Sequence, residues 1–132
     1  MSKKVMVFAY GTLMQGFGNS LTAAAERGGF HAEFKGNDDI AGTMYSLGGF
    51  PYVKLFGFDT TTVHGEVFET DLEGLAWMDR LEGYPSFYDR TLIETKYGEA
   101  WIYHIENERY HNTPVESGSW AVHTGRITLL TE

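Results

Sequence analysis

Two stretches of this chain combine residue types that suit acid–base or anion-binding chemistry. The first is Tyr10-Gly11-Thr12-Leu13, directly after an apolar run. A glycine at the end of a buried strand lets the backbone turn sharply and leaves nearby N–H groups unpaired; such a nest can hold a carboxylate or an oxyanion. The same residues also suit an ordinary turn. The second stretch is Leu81-Glu82-Gly83-Tyr84-Pro85. Glu82 falls at the end of an expected helix, against the negative end of its dipole. Tyr84, Phe87 and Tyr88 follow closely enough to desolvate it. Both effects disfavour the charged carboxylate and raise its pKa, which suits a general base. A solvated helix-end glutamate is the plain alternative.

Other chemistries find little support. The chain has no Cys, which removes disulfides, thiolate nucleophiles and Cys-ligated zinc together. His31, His64, His104, His111 and His123 show no i,i+4 pair and no metal-ligand spacing, so no metal is expected. There is no G-x-S-x-G elbow and no P-loop. Lys54, Arg80, Arg90 and Arg126 are scattered, with Arg90 expected to pair structurally with an acid near the helix end. With 18 acidic against 10 basic residues, the net charge of −8 repels a phosphate backbone and argues against a nucleic-acid partner.

The elements that must position these residues read as follows. Lys4 to Tyr10 is a short, nearly continuous apolar strand that stops at Gly11. Asn19-Ser20 can cap a helix through Arg27, and Gly28-Gly29 ends it. Phe30 to Tyr45 reads as strand, loop and strand, and Gly48-Gly49-Phe50-Pro51 as a turn. Val63 to Glu69 is a strand. Thr70-Asp71-Leu72-Glu73 has the form of a capping box with Thr70 as the cap, opening a helix from Asp71 to about Glu82 that Gly83 and Pro85 stop. Tyr88 to Thr95 and Ala100 to Glu106 are two further strands. From Asn112 on the chain reads as coil, with Trp120 as an anchor. The pattern is α+β, with a small mixed or barrel-like sheet.

A chain of 132 residues suits one domain spanning 1–132. The eight Tyr, nine Phe and three Trp can supply a large buried area from few residues. The start, Met1-Ser2-Lys3-Lys4-Val5, opens no long apolar region, so no signal peptide is expected. The longest apolar run falls short of a membrane span. Together with the lack of Cys this suggests a soluble, cytoplasmic protein without membrane partners; the oligomeric state stays open.

Read together, these stretches resemble the gamma-glutamylcyclotransferase-like family. The similarity is carried by Val7-Phe8-Ala9-Tyr10-Gly11-Thr12-Leu13, by Gly42-Thr43-Met44-Tyr45 with Leu47-Gly48 and Pro51, and by Gly65-Glu66-Val67-Phe68. It continues in Met78-Asp79-Arg80-Leu81-Glu82-Gly83-Tyr84-Pro85 with Tyr88 and Arg90, its most specific part. Ala100-Trp101-Ile102-Tyr103 and Ser117-Gly118-Ser119-Trp120 resemble the closing strand and tail. The resemblance implies a small mixed β-barrel with flanking helices. It implies a substrate cavity at Tyr10, Gly11, Thr12 and Leu13, with Tyr88 also in contact, and Glu82 as catalytic base. It implies release of 5-oxoproline from a small-molecule gamma-glutamyl amide, with no cofactor. The loop lacks the Asn that glutathione-pathway enzymes tend to carry before Leu, so the chain is more similar to the shorter branch that includes gamma-glutamylamine cyclotransferase. The alternatives are a non-catalytic module binding a gamma-glutamyl-like or acidic metabolite on the same fold, and an interaction protein using an aromatic surface.

Overall fold

The computed structural model describes residues 3–17, 20–57, 61–106 and 113–125. Its elements are β1 (Lys4–Ala9), α1 (Leu21–Gly28), β2 (Ala32–Ser46), β3 (Pro51–Lys54), β4 (Thr61–Asp71), α2 (Leu72–Glu82), β5 (Asp89–Thr95), β6 (Gly98–His104) and α3 (Trp120–His123). Asn19, His111, Asn112 and Arg126, all named in the sequence reading, lie outside the described residues.

The six strands form one mixed sheet in the order β3-β2-β4-β1-β6-β5. The β1–β6 pairing is parallel and the others are antiparallel. β1 lies inside the sheet, and its Val7, Phe8 and Ala9 are almost wholly buried. That is why its sequence is continuously apolar rather than alternating. The sheet is not closed, so the expected barrel is only approximated: β3 and β5 remain edges. It curls enough for the Ile105 N–H, just past β6, to donate to the Val53 carbonyl of β3 at 3.1 Å. No described helix is long and apolar enough to cross a membrane.

Three local readings need correction. The segment from Phe30 to Tyr45 is not strand, loop and strand. It is one long strand paired to β4 from Ala32 to Gly42, with a register shift between Phe34 and Gly36. Its polar run stays extended because the backbone bonds to β4 and the side chains largely face solvent. Secondly, the cap of α2 is Asp71, whose Oδ1 accepts from the Gly74 N–H at 2.9 Å. The hydroxyl of Thr70 instead donates to the His31 carbonyl at 2.6 Å. Thirdly, the tail is not all coil. Trp120 opens α3, with the Ser119 hydroxyl accepting from the Val122 N–H at 3.2 Å. Trp120 is the expected anchor, 2 % exposed.

Pro51, expected as the end of a turn, also opens a strand. The turn is present, closed by Leu47 N–H donating to the Phe50 carbonyl at 2.9 Å, and β3 follows it at once. α1 ends as expected, with Gly29 in the left-handed conformation at φ 73°.

Candidate active site

Four segments far apart in sequence converge on one cavity of about 230 Å³. They are the end of β1 and its following loop (Phe8 to Leu13), the turn before β3 (Gly49 to Pro51), the end of α2 (Leu81, Glu82) with Phe87 and Tyr88, and Tyr103 of β6. Tyr10, Gly11, Thr12, Leu13, Glu82 and Tyr88, the residues picked out from the sequence, all line it. Phe8, Phe50, Pro51, Leu81, Phe87 and Tyr103 line it as well and were not foreseen as site residues. Leu81 and Phe87 join it through their nearness to Glu82, whereas the membership of Phe50, Pro51 and Tyr103 depends on the sheet bringing β3 and β6 to the loop after β1.

The loop is held from below and behind. Leu13, Met14 and Phe17 are buried in the core. The Gly11 carbonyl accepts from Met14 N–H at 3.1 Å, and the Leu13 carbonyl from Leu21 N–H at 2.9 Å. The carboxylate of Glu66 accepts from Gln15 N–H at 2.8 Å. Burial pushes the Glu66 carboxyl up, and this N–H partly offsets it. The loop carbonyls at Gly11 and Leu13 are thus used internally. Among the described residues no acceptor takes the N–H groups of Gly11, Thr12 or Leu13. A ligand anion or oxyanion is the natural partner for such donors.

Gly11 has a reason different from the turn expected of it. Its φ is not positive. A Cβ at this position would lie 2.9 Å from Cγ and 3.0 Å from Cδ of Pro51. Only a residue without a side chain lets the loop approach the proline so closely.

On the opposite wall, Glu82 is the last residue of α2. Gly83 follows at φ 66°, its N–H donating to the Arg80 carbonyl at 3.3 Å, and the Tyr84 N–H donates to the Asp79 carbonyl at 2.9 Å. This left-handed ending is what a glycine supplies at a helix C-terminus. Burial raises the Glu82 pKa from 4.5 to about 7. Among the described residues no donor reaches its carboxylate, so nothing offsets the lost hydration. The surrounding phenols point their hydroxyls elsewhere. Tyr88 donates to the Pro51 carbonyl at 2.6 Å, Tyr103 to Asp79 Oδ1 at 2.6 Å, and Tyr10 to the Tyr103 carbonyl. All three phenols are held well above their ordinary pKa, chiefly by burial, with Asp79 adding to it at Tyr103 and the negative charge of Glu82 contributing at each. They therefore stay protonated and keep donating away from it.

Behind this wall Arg90 behaves as expected. Its Nε and Nη2 donate to the two carboxylate oxygens of Asp79 at 2.9 and 3.3 Å. Its guanidinium carbon also lies 4.4 Å from the ring centre of Tyr84 and 4.3 Å from that of Trp101. With Tyr103 also on Asp79, this cluster fixes the end of α2 against β6.

The described histidines, His31, His64, His104 and His123, do not line the cavity. His104 is buried and pairs with Glu106 at 2.9 Å and Thr91 at 3.2 Å. His31 pairs with Glu69 at 2.9 Å, and with Glu33 these side chains bring potential ligand atoms within 4.8 Å of one another. That grouping arises from the β2–β4 pairing, so sequence spacing does not reveal it.

The loop–glutamate pairing across one cavity can be set beside known proteins. The family model described as "Gamma-glutamyl cyclotransferase, AIG2-like" matches residues 7–122. The chain belongs to this family. A relative from Vibrio cholerae is 37% identical over 116 residues, spanning 87% of this chain and 94% of its own. Gamma-glutamylcyclotransferase family protein YtfP of Escherichia coli K12 is 35% identical over 116 residues, spanning 86% and 94%. The solution structure of the Escherichia coli protein ytfP superposes with a TM-score of 0.69 at 33% identity, covering 91% of this chain and 99% of that one. These are relatives within a family of cyclotransferase-type enzymes, and the cavity described above lies within the matched span.

Proposed function

We propose that the chain is a gamma-glutamyl cyclotransferase that releases 5-oxoproline and an amine from a gamma-glutamyl amide, with Glu82 as general acid/base. The observation that carries this reading is the placement of one donor-free, desolvated carboxylate opposite unpaired backbone N–H groups in a single cavity. Family membership supports the reaction class.

The chemistry follows from the groups present. The substrate α-amine carries a proton at neutral pH, with a pKa of about 8. A carboxylate with pKa about 7 is matched to remove it. The freed nitrogen attacks the γ-carbonyl carbon and closes a five-membered lactam, and the bond from that carbon to the amide nitrogen breaks. The α-nitrogen loses two protons in all. Glu82 delivers one to the leaving nitrogen and passes the other to water. Nucleophile and electrophile belong to one molecule, so the cavity has mainly to fold it into a reactive shape. The N–H groups of Thr12 and Leu13 would hold the α-carboxylate or the developing oxyanion. Tyr10 and Tyr88 wall the cavity with their rings while their hydroxyls hold the frame. A cytoplasmic setting accords with the absence of Cys.

The test is release of 5-oxoproline from gamma-glutamyl amides, followed by chromatography. Release from at least one amide, lowered about 10²–10⁴-fold by Glu82→Gln, is the expected result. Saturable binding of the amides without any release would instead make the chain a metabolite-binding module.

A further inference from the structure

The mouth of the cavity differs in character from its floor. Phe50 and Phe87 are each 40 % exposed and Leu81 is 45 % exposed, yet all three line the cavity. The two phenyl rings meet edge to face, 6.1 Å apart. Half-exposed apolar side chains gathered at one opening mark a surface for an apolar group. Of the described residues lining the cavity, Glu82 alone carries a formal charge. No described Lys or Arg lines it, and the nearby Arg90 is committed to Asp79 and stacked between Tyr84 and Trp101.

We infer that this mouth selects the leaving amine, taking amines that bear an aromatic group and lack a carboxylate. The inference rests on the cyclotransferase reading for the existence of a leaving amine. The unpaired loop N–H groups would serve the one α-carboxylate of the glutamyl part. A second carboxylate, on the amine part, would enter an apolar mouth that already contains Glu82 and, among the described residues, offers no cation. Leaving such a charge without a partner disfavours it. A phenyl group gains contact with Phe50, Phe87 and Leu81 at no such cost. Peptides whose leaving group is an amino acid are therefore poor substrates, and arylalkyl amides are good ones.

Three compounds separate the contributions: gamma-glutamyl phenethylamide, gamma-glutamyl ethylamide, which lacks the phenyl, and gamma-glutamylphenylalanine, which adds a carboxylate. The expected kcat/KM for the phenethylamide exceeds each of the others by about tenfold or more, the low end of the range for an apolar group because the mouth is open. The amine of phenylalanine is less basic and intrinsically the better leaving group, so bond chemistry alone would favour the reverse order. Phe87→Ala and the milder Phe87→Leu, with Phe50→Ala as an independent change, should narrow the phenethyl-to-ethyl ratio toward one. Equal or better turnover of gamma-glutamylphenylalanine, or a ratio unmoved by the substitutions, overturns the inference. Calorimetry on Glu82→Gln with the same compounds reads the mouth without chemistry. If nothing is turned over but the affinities keep the predicted order, the catalytic reading fails and the mouth's preference stands. Equal affinities of the phenethylamide and the ethylamide on this variant overturn the aromatic preference whatever the turnover; the carboxylate arm is read by competition binding on the wild type, where Glu82 keeps its charge.

Discussion

The hydroxyl of Tyr88 donates to the Pro51 carbonyl at 2.6 Å, and the ring of that same proline is what a Cβ on Gly11 would strike at 2.9 Å. One residue thus connects the segment after α2 to the loop after β1. The two walls of the cavity keep their spacing through Pro51.

Gly11→Ala should therefore move the loop or the turn. Neither neighbour is the free end of a flexible side chain, so the overlap is relieved by backbone displacement, costing about 1–3 kcal/mol. Turnover should fall by at least about tenfold, since small misplacements of positioning groups are expensive. Denaturant unfolding and 5-oxoproline release measure the two effects; an alanine variant with unchanged stability and rate would contradict the packing argument.

For Glu82→Gln, glutamine keeps size and shape but accepts no proton. Turnover should drop by about 10²–10⁴-fold, the usual contribution of a positioned acid–base group, or about 2.7–5.4 kcal/mol of barrier. Substrate affinity should change less, because the loop N–H groups remain. Thr12→Ala is the milder contrast, since it removes no backbone donor.

The pH dependence of activity should show the same group. With Glu82 raised to about 7, kcat/KM should climb through neutral pH as the carboxylate ionises, with its midpoint near that value. A midpoint near the ordinary 4.5 would assign the base to another residue.

Stability should respond in the opposite direction. The folded state holds the Glu82 proton more tightly than the unfolded chain, so wild-type stability falls as pH rises from about 4.5 to about 7 and then levels off. Glu82→Gln lacks this loss. It should be more stable than wild type above neutrality by about 1–3 kcal/mol, less than the full shift implies because the side chain faces an open cavity. Paired thermal melts at acid and neutral pH give the comparison: the gap between variant and wild type should open between those values and close in acid.

Asp79→Asn removes the carboxylate that holds Arg90 and accepts from Tyr103. The guanidinium stays between Tyr84 and Trp101, now without its charge partner. A loss of about 1–3 kcal/mol is expected by denaturant unfolding, below that of a fully buried pair because both side chains keep some exposure. Activity should fall more modestly, through the shifted end of α2.

Much of this was legible in sequence because it is governed by short-range rules. The apolar run of β1 and the glycine endings at Gly29 and Gly83 each act within a few residues. So did the helix-end position of Glu82 and its nearness to Tyr88. Order along the chain also carried the family resemblance, which the family model matches over residues 7–122.

Tertiary structure decided what depends on pairing. Whether Gly36-Asn37-Asp38 is loop or strand is settled by β4 offering its backbone along the whole of that run. Which of Thr70 and Asp71 caps α2 is settled by the His31 carbonyl, which takes the Thr70 hydroxyl. Gly11 is required by the proximity of Pro51 rather than by its own torsion angle, and Phe50, Leu81 and Phe87 become a rim because the turn before β3 comes up against the end of α2. The sequence by itself therefore determined the types of chemical group and the local backbone that presents them. Their convergence came only with the folded sheet, which adds Tyr10, Pro51 and Tyr103 from distant segments to the local Phe87 and Tyr88 and so completes the burial that lifts Glu82 to about 7.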